Sequence, residues 1–438
     1  PCSVHGNEVG RATGDRLIYK SGRLYFGSQT AGIIYSEDMG ESWQSIDLFG
    51  EKNISLIWTD SEGKLFIAGC SGEANSPDGV TRGHTLYCST DGLKSFVPLT
   101  APDPVKYENS SYYGFVPQRI TSDSRYIYIT FTSSGKVFYG GMGAYACDTG
   151  SLSGGKVYRY RIENGVPVFN KDITPADETP CGYSGICSNG KMLLLSTVCR
   201  KNGGDIIYTS TDSGESWKII MNRLEYSRFD WNIPYMKPRY NGGGNCVHWI
   251  SDIKLSPFDS DTALFNIGTG LFMITGLASG DVLVKPFCEG IEETVHLNVY
   301  TTPHGRNRII DIIGDLGGFA FEDYDSECEN SFANENGDRY ITCLNADLTL
   351  SDPEYIVATP RGNWTGKTKG GLILSKDCGS TWERLPMPRG LSEFIDKKLD
   401  NIEKPNVDSG WTAISADGKR IMWAVAGGRG FSNKAVCY

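Results

Sequence analysis

Two histidines and two arginines of this chain have side chains suited to moving protons beside a carboxylate. His84 follows Arg82 by two residues in a polar stretch, His248 precedes one apolar run, and Arg119 enters another. An imidazole can be tuned to exchange protons near neutral pH, and a guanidinium can hold a carboxylate through two hydrogen bonds. β-Elimination from a 4-linked uronate requires a base, an acid and a group that neutralises the carboxylate. His84 and His248 are therefore the candidates for base and acid, and Arg119 is the candidate for neutralising the carboxylate.

Arg82 and three other polar residues are candidates for contacts with a ligand. Tyr145 and Asn245 lie in two long insertions and have groups that can hydrogen-bond sugar hydroxyls. Asp315 lies in a glycine-rich turn, Gly314 to Gly318. There it could bind a sugar, orient a histidine or stabilise its own turn.

Each candidate also has a structural interpretation. His84 could be a surface-loop histidine, and His248 a hydrogen-bonded histidine at the start of a strand. Arg119 could form a buried ion pair with an acidic loop residue. Tyr145 and Asn245 could be solvent-facing loop residues. The interpretations differ in the partners that each side chain would have in the folded chain.

A motif that occurs four times predicts the framework for these residues. A serine is followed two residues later by aspartate, then by glycine and an aromatic residue. The carboxylate can accept backbone N–H groups of its turn, glycine supplies a positive φ, and the aromatic ring packs the turn onto the sheet. Each copy lies between apolar runs and so marks a hairpin turn; in the second copy Gly92 follows Asp91 without a spacer. The copies are Ser36 to Trp43, Ser89 to Phe96, Ser210 to Trp217 and Ser375 to Trp382.

Alternation with a period of two residues predicts an all-β chain. YIYITFTSS from Tyr126 and RLYFGS from Arg23 alternate in this way, and 53 glycines and 23 tyrosines agree with many short strands and turns. Repeated four-stranded units can close into one large domain. We therefore predict a seven-bladed β-propeller, with eight blades as the alternative, as a single domain over residues 1–438.

The predicted blades follow the strand runs along the chain. The tail, 411–438, combines with the N-terminal segment or completes a neighbouring blade. Pairing of the first and last strands would close the ring, with Cys2 bonded to Cys437. The blades are 16–46, 55–99, 116–173, 185–220, 249–286, 294–343 and 348–385.

Four long insertions are predicted to share the face opposite the repeated turns, and a ligand site is expected there. A disulfide between Cys70 and Cys88 would hold the base of the loop that carries Arg82 and His84. The insertions are 72–85, 106–118, 133–155 and 222–248.

Composition excludes several classes of partner. A net charge of −10 with dispersed basic residues argues against nucleic acid, and no stretch reaches the ~20 apolar residues of a membrane helix. Thirteen cysteines without C-x-x-C pairs, sequons at Asn53, Asn109 and Asn363, and a start at Pro1 that suggests a removed signal peptide favour a secreted, disulfide-bonded glycoprotein. We expect a monomer that needs no cofactor and has no metal in its site. A structural Ca²⁺ in the propeller tunnel is the one ion considered.

The four turns resemble the Asp-boxes of sialidases and other carbohydrate-active propellers, which implies that their aspartates are structural. Longer strings resemble glycoside hydrolase family 74, the xyloglucanases: NEVGRATGDRLIY from Asn7, HWISDIKLSPFDSDTALFNIGTG from His248, GIEETV from Gly290 and IIGDLGGF from Ile312. The resemblance implies that Asp315 is one of two catalytic aspartates.

The partner aspartate that the resemblance implies, near the N-terminus of a first propeller, has no counterpart in this sequence. A secreted propeller of this size also resembles polysaccharide lyase family 42, the L-rhamnose-α-1,4-D-glucuronate lyases. The leading expectation is therefore a lyase that cleaves a rhamnosyl-glucuronate bond in a plant polysaccharide. The alternatives are a family 74-like endo-hydrolase that uses Asp315 and another carboxylate, and a non-catalytic sugar-binding propeller.

Overall fold

The computed structural model describes 14–28, 31–46, 54–70, 85–103, 105–106, 112–113, 115–133, 154–177, 179–200, 203–222, 228–231, 233, 247, 249–268, 270–291, 294–328, 331–362, 368–386, 410–425 and 434–437. Within these ranges the chain forms strands and turns, and every strand of a sheet pairs antiparallel with its neighbour in the sequence. The prediction of an all-β chain is confirmed. The described part contains no helix of the length and apolarity that crossing a membrane requires.

The chain divides into two compact units. Unit 1 comprises Pro1–Asp230 and Cys246–Cys288, and unit 2 comprises Trp231–Asn245 and Glu289–Tyr438. Each unit contains its own series of antiparallel meanders. The prediction of one closed domain stays a prediction.

Unit 1 contains five four-stranded sheets and a short ribbon among its described residues. Sheet 1 is β1 (Leu17–Lys20), β2 (Arg23–Gly27), β3 (Ile33–Ser36) and β4 (Gln44–Ser45); sheet 2 is β5 (Ile54–Thr59), β6 (Phe66–Cys70), β7 (Leu86–Ser89) and β8 (Val97–Pro98); the ribbon is β9 (Val105–Lys106) and β10 (Tyr112–Tyr113). Sheet 3 is β11 (Phe115–Ser122), β12 (Tyr126–Ser133), β13 (Gly155–Glu163) and β14 (Val166–Asp172); sheet 4 is β15 (Gly182–Ser188), β16 (Leu193–Val198), β17 (Ile207–Ser210) and β18 (Lys218–Met221); sheet 5 is β19 (Asp252–Leu255), β20 (Ala263–Ile267), β21 (Gly270–Thr275) and β22 (Leu283–Pro286).

Unit 2 contains three sheets among its described residues. Sheet 6 is β23 (His296–Thr301), β24 (Ile309–Ile313) and β25 (Gly317–Phe321); sheet 7 is β26 (Cys343–Leu348), β27 (Ile356–Pro360), β28 (Ile373–Ser375) and β29 (Glu383–Arg384); sheet 8 is β30 (Trp411–Ile414), β31 (Ile421–Val425) and β32 (Lys434–Cys437).

The predicted blades agree closely with sheets 1 to 5 and less well with the rest. The strand Cys343–Leu348 spans the predicted boundary between the sixth and seventh blades, and it belongs to the seventh sheet. The tail forms its own three-stranded sheet. The number of blades and the closure of a ring stay predictions.

Neighbouring sheets within a unit pack face to face because alternate residues of one strand enter two different cores. In β12, Ile127, Ile129 and Phe131 lie in the core shared with sheet 2, whereas Tyr128 lies in the core shared with sheet 4. Sheets 1 and 2 share a core, as do sheets 6 and 7. A period of two residues therefore buries both faces of a sheet instead of one.

A glycine permits close approach between the first strands of sheets 4 and 5. A Cβ atom on Gly185 of β15 would lie 2.6 Å from the backbone nitrogen of Ile253 in β19. Any side chain there would push sheets 4 and 5 apart.

The four repeated turns join the third and fourth strands of sheets 1, 2, 4 and 7 with one hydrogen-bond pattern. In the third turn, Ser210 Oγ accepts the N–H of Gly214 at 2.9 Å, and the Asp212 carboxylate accepts the N–H of Ser216 at 3.0 Å. The same bonds recur in the turns of Ser36, Ser89 and Ser375. We call these segments box turns 1 to 4.

The apparent missing spacer of box turn 2 disappears in the structure. Leu93 donates its N–H to Ser89 Oγ at 3.0 Å, as glycine does in the other three turns, with φ +68°. Gly92 occupies the preceding place, where the other turns have Met39, Ser213 and Cys378 at φ between 58° and 62°. The turn keeps its length, and its glycine has moved one residue earlier.

The predicted bond between Cys70 and Cys88 is wrong. In the register of β6 and β7, Cys88 lies opposite Ile67, so Cys70 is three residues further along its strand. Three residues of strand span about 10 Å, which is beyond the reach of a disulfide. Cys88 carries no disulfide. Cys2 and the side chain of Cys437 lie outside the described residues.

Two glycines of the box turns should differ in their tolerance of alanine. A Cβ on Gly214, at φ +82°, would lie 2.5 Å from Ile173 Cδ1, whereas one on Gly92 would meet nothing within 4 Å. We expect Gly92→Ala to cost about 1–2 kcal/mol of unfolding free energy, and Gly214→Ala about 1–3 kcal/mol more, because overpacking adds to backbone strain. Denaturant unfolding measures both, and equal losses would contradict the role of packing.

The box turns should also make stability depend on pH in acid. Hydrogen bonds from Ser216 lower the pKa of Asp212 to about 2, below the ~3.9 of an unfolded aspartate. Because the folded pKa is the lower one, this contribution is complete above about pH 4 and is lost as the pH falls towards 2. The Tm difference between the protein and Asp212→Asn should shrink from about pH 5 to about pH 2. A constant difference in thermal scans would contradict this.

Candidate functional site

Asp315 lies at the tip of the turn between β24 and β25 in unit 2, and its side chain is exposed. Its φ is +61°, a left-handed conformation that aspartate tolerates better than most residues. The backbone N–H of Asp315 donates to Thr342 Oγ1 at 2.9 Å. The turn therefore presents the carboxylate outward while fixing the backbone beneath it.

The two glycines after Leu316 are required by close packing. A Cβ on Gly317 would lie 2.7 Å from the carbonyl oxygen of Tyr340, and one on Gly318 would lie 2.7 Å from the carbonyl oxygen of Asp311. Gly317 also donates its N–H to the carbonyl oxygen of Ile341 at 3.1 Å. The segment 340–342 thus lies directly against the turn and determines where Asp315 stands.

A hydrogen-bonded chain of three side chains lies on the strands beside this turn. His296 Nδ1 lies 2.9 Å from one Asp311 carboxylate oxygen and 3.0 Å from the other, and Nε2 lies 2.6 Å from Thr294 Oγ1. Asp311 is 6% exposed, whereas the His296 side chain is 54% exposed. A base oriented by a buried carboxylate is a common arrangement for handling protons.

His296 is close to the Asp315 turn through the backbone. It lies opposite Ile313 in the register, and the preceding residue, Val295, accepts the N–H of Gly314 at 2.8 Å. Reasoning from the sequence missed His296, which lies on a strand but has an exposed side chain. The signal that could have found it is an aspartate at position 311 within an otherwise apolar strand.

Arg119, in unit 1, forms the ion pair that was the alternative to its catalytic role. Its Nε lies 3.2 Å from Asp252 and 3.7 Å from Asp15, and Lys254 lies 3.2 Å and 3.3 Å from the same two carboxylates. The Arg119 side chain is 10% exposed. Burial, and then the charge of Arg119, lower the pKa of Arg16. Arg119 and Lys254 share the two carboxylates, with Arg16 close enough to sense the charge of Arg119, and this arrangement agrees with the structural interpretation of Arg119.

The other predicted site residues lie outside the described residues, and their roles stay predictions. They are Arg82, His84, Tyr145, Asn245 and His248. Among the residues that the structure describes, no group of three or more His, Cys, Asp or Glu side chains is placed to hold a metal ion. The expectations of no required cofactor and of a structural Ca²⁺ are not tested.

Known proteins similar to this chain are xyloglucanases. The chain is 24% identical, over 97% of its length, to an oligoxyloglucan-reducing end-specific xyloglucanase of Emericella nidulans, and 22% identical, over its full length, to a xyloglucanase of Paenibacillus sp. These matches cover 56% and 42% of the two proteins, so the chain spans about half the length of the curated relatives it matches. No family model matches the chain.

Solved structures of family 74 enzymes resemble the fold of this chain. The family 74 xyloglucanase of Xanthomonas campestris superposes with a TM-score of 0.72 at 20% identity, covering 96% of this chain and 57% of that one. A family 74 enzyme of Niastella koreensis gives 0.71 at 19% identity, covering 99% and 58%. The fold class is an all-β propeller, and the resemblance to family 74 is supported.

The prediction of a polysaccharide lyase is wrong. The similar proteins are xyloglucanases, which agree with the alternative of a family 74-like hydrolase. No sequence motif supported the lyase hypothesis, whereas four strings along the chain supported the hydrolase alternative. Arg119 was a candidate because a lyase needs a residue that neutralises a uronate carboxylate. Without the lyase hypothesis, that reason no longer applies.

Replacing Arg119 should therefore affect stability. Arg119→Met would leave Asp252, whose side chain is 20% exposed, with Lys254, and we expect a loss of about 1–3 kcal/mol of unfolding free energy. Lys254→Met is the matched control: that side chain is 51% exposed, so the loss should stay below about 1 kcal/mol. Urea unfolding followed by tryptophan fluorescence measures both. Unchanged stability in Arg119→Met would contradict the structural role.

Proposed function

We propose that this chain carries a catalytic carboxylate of a glycoside hydrolase acting on xyloglucan, and that this carboxylate is Asp315. The observation that carries the proposal is the GDLGG turn, whose packing fixes an exposed aspartate at its tip. The similarity of nearly the whole chain to fungal and bacterial xyloglucanases supports it. An extracellular location would suit a polymeric plant substrate.

Asp315 is suited to proton transfer at a glycosidic bond. Hydrolysis of such a bond commonly uses two carboxyl groups, one that protonates the leaving oxygen and one that activates water or attacks the sugar. An exposed carboxylate on a rigid turn can approach the bond without reorganising its backbone. The turn is rigid because hydrogen bonds to Thr342 and Ile341 hold it on both sides of Leu316.

His296 and Asp311 would assist at the same site. The buried Asp311 carboxylate fixes the imidazole, whose side chain is 54% exposed, and the segment that carries it is hydrogen-bonded to the Asp315 turn through Val295 and Gly314. In this proposal His296 positions a sugar hydroxyl or a water molecule beside Asp315. The second carboxylate is not assigned; Glu292 and Glu293, which precede Thr294, lie outside the described residues.

Removal of the Asp315 carboxylate should abolish hydrolysis without unfolding the protein. Asparagine tolerates the left-handed φ of this position, so Asp315→Asn should keep the turn. We expect the protein to release new reducing ends from xyloglucan, and the variant to be slower by about 10²–10⁴-fold, the usual contribution of a general acid or base. A reducing-sugar assay measures the rate, and circular dichroism checks the fold.

Asp325→Asn is the control, since Asp325 is an exposed carboxylate in the turn after the same sheet. Its activity should equal that of the parent. Full activity in Asp315→Asn would refute the role of Asp315. Binding of xyloglucan by the parent without new reducing ends would refute hydrolysis and favour a sugar-binding propeller.

A further inference from the structure

A groove of about 500 Å³ lies between sheets 3 and 4 of unit 1. One wall is the end of β14 with the segment 173–177, and the other is box turn 3 with Ile219 of β18. Arg200 and Tyr208 line it from sheet 4. Its volume is within the ~300–1,000 Å³ of small-molecule sites.

Box turn 3 builds this groove by using its tryptophan differently from the other tryptophan-containing turns. Trp217 Nε1 donates to the carbonyl oxygen of Ile173, on the neighbouring sheet, at 2.7 Å. Trp43 and Trp382 each donate to the carbonyl oxygen of the glycine in their own turn, at 3.1 Å. The half-buried Trp217 ring also packs edge-on against Tyr208, with centroids 6.4 Å apart. The indole is thus a fixed wall between two sheets.

The charged groups of the groove are paired. Arg200 Nε donates to Asp177 at 2.8 Å, with side chains 16% and 10% exposed, and the Tyr208 hydroxyl donates to the same carboxylate at 3.1 Å. At the rim, Lys171 donates to Glu215 at 2.5 Å. Asp172, the remaining charged residue of the lining, pairs with Lys156 at 2.8 Å, so each charged group of the groove already has a partner of opposite charge. At the rim, each oxygen of the Glu215 carboxylate accepts one cationic partner, so a hydroxyl group can donate to a second lone pair there without displacing a pair.

We propose that this groove is a binding site for a neutral pyranose segment of a polysaccharide. A pyranose has a C–H face that packs on aromatic and aliphatic side chains, here Trp217 and the 41% exposed Ile219. Its hydroxyls can donate to the Glu215 carboxylate at the rim, beside the half-buried indole. The site takes from the proposed function only the class of ligand, and it does not depend on hydrolysis at Asp315.

The test uses Asp315→Asn as the background, so that the probe is not consumed. Xyloglucan oligosaccharides are titrated by calorimetry, and the indole N–H signals are followed by NMR. We expect Trp217→Ala to weaken binding at this site at least fivefold or to reduce the number of sites by one. In the background protein, which keeps Trp217, we expect the indole N–H signal of Trp217 to shift until the site is saturated. Trp43→Ala is the matched control: it is a box-turn tryptophan bonded to its own turn, so its removal should leave binding unchanged.

Ile219→Glu provides a second variant that adds a charge at an exposed wall position and does not disturb Trp217. It should also weaken binding. Binding equal to that of the background in both groove variants, or an unmoved Trp217 signal at saturation, would overturn the proposal. If the parent fails to hydrolyse xyloglucan but the Trp217-dependent binding persists, the proposed function fails and this site stands.

Discussion

Burial of both faces of the inner strands is the constraint on which the rest of the structure depends. All six residues of β16 are buried, as are all five of β27, so neither strand has a face that water could cover. The alternation of β12, which sends Tyr128 and Ile129 into different cores, shows how one strand serves two neighbours. Such sheets are stable only as a series, since a lone sheet would expose apolar residues on both sides.

Polar residues inside the stack need partners, and the partners lie on adjacent strands or sheets. Thr130 is fully buried, and its hydroxyl donates to the carbonyl oxygen of Ser184 on the neighbouring sheet at 3.1 Å. Chemically active side chains therefore lie at the borders of the packed sheets, in turns and on edge strands. Asp315, at a turn, and His296, on an edge strand of its sheet as described, both occupy such places. Asp311 links the buried interior to the surface, because its carboxylate is buried while its hydrogen-bond partner, His296, is exposed.

The sequence predicted local features better than contacts between distant segments. The first five sheets follow from alternation and the box turns, because period and turn chemistry are set by neighbours in the chain. The boundary at Cys343–Leu348 was missed, since an apolar run does not reveal which sheet it joins. The proposed Cys70 to Cys88 bond failed because it ignored the register, which places Cys88 opposite Ile67. Leu93 was missed because a left-handed φ was expected only at glycine.

For the candidate site, the sequence by itself determined that Asp315 lies in a tight glycine-rich turn and that the box aspartates are structural, because both properties depend on residues within a few positions. Only the tertiary structure decided why Gly317 and Gly318 are required, since the atoms that exclude a side chain come from Tyr340 and from Asp311 on the paired strand. It also decided that Arg119 forms an ion pair with Asp15 and Asp252, residues more than a hundred positions away. The physical reason is that charge pairing, burial and steric exclusion act through space, whereas hydrogen bonds within a turn act along the chain.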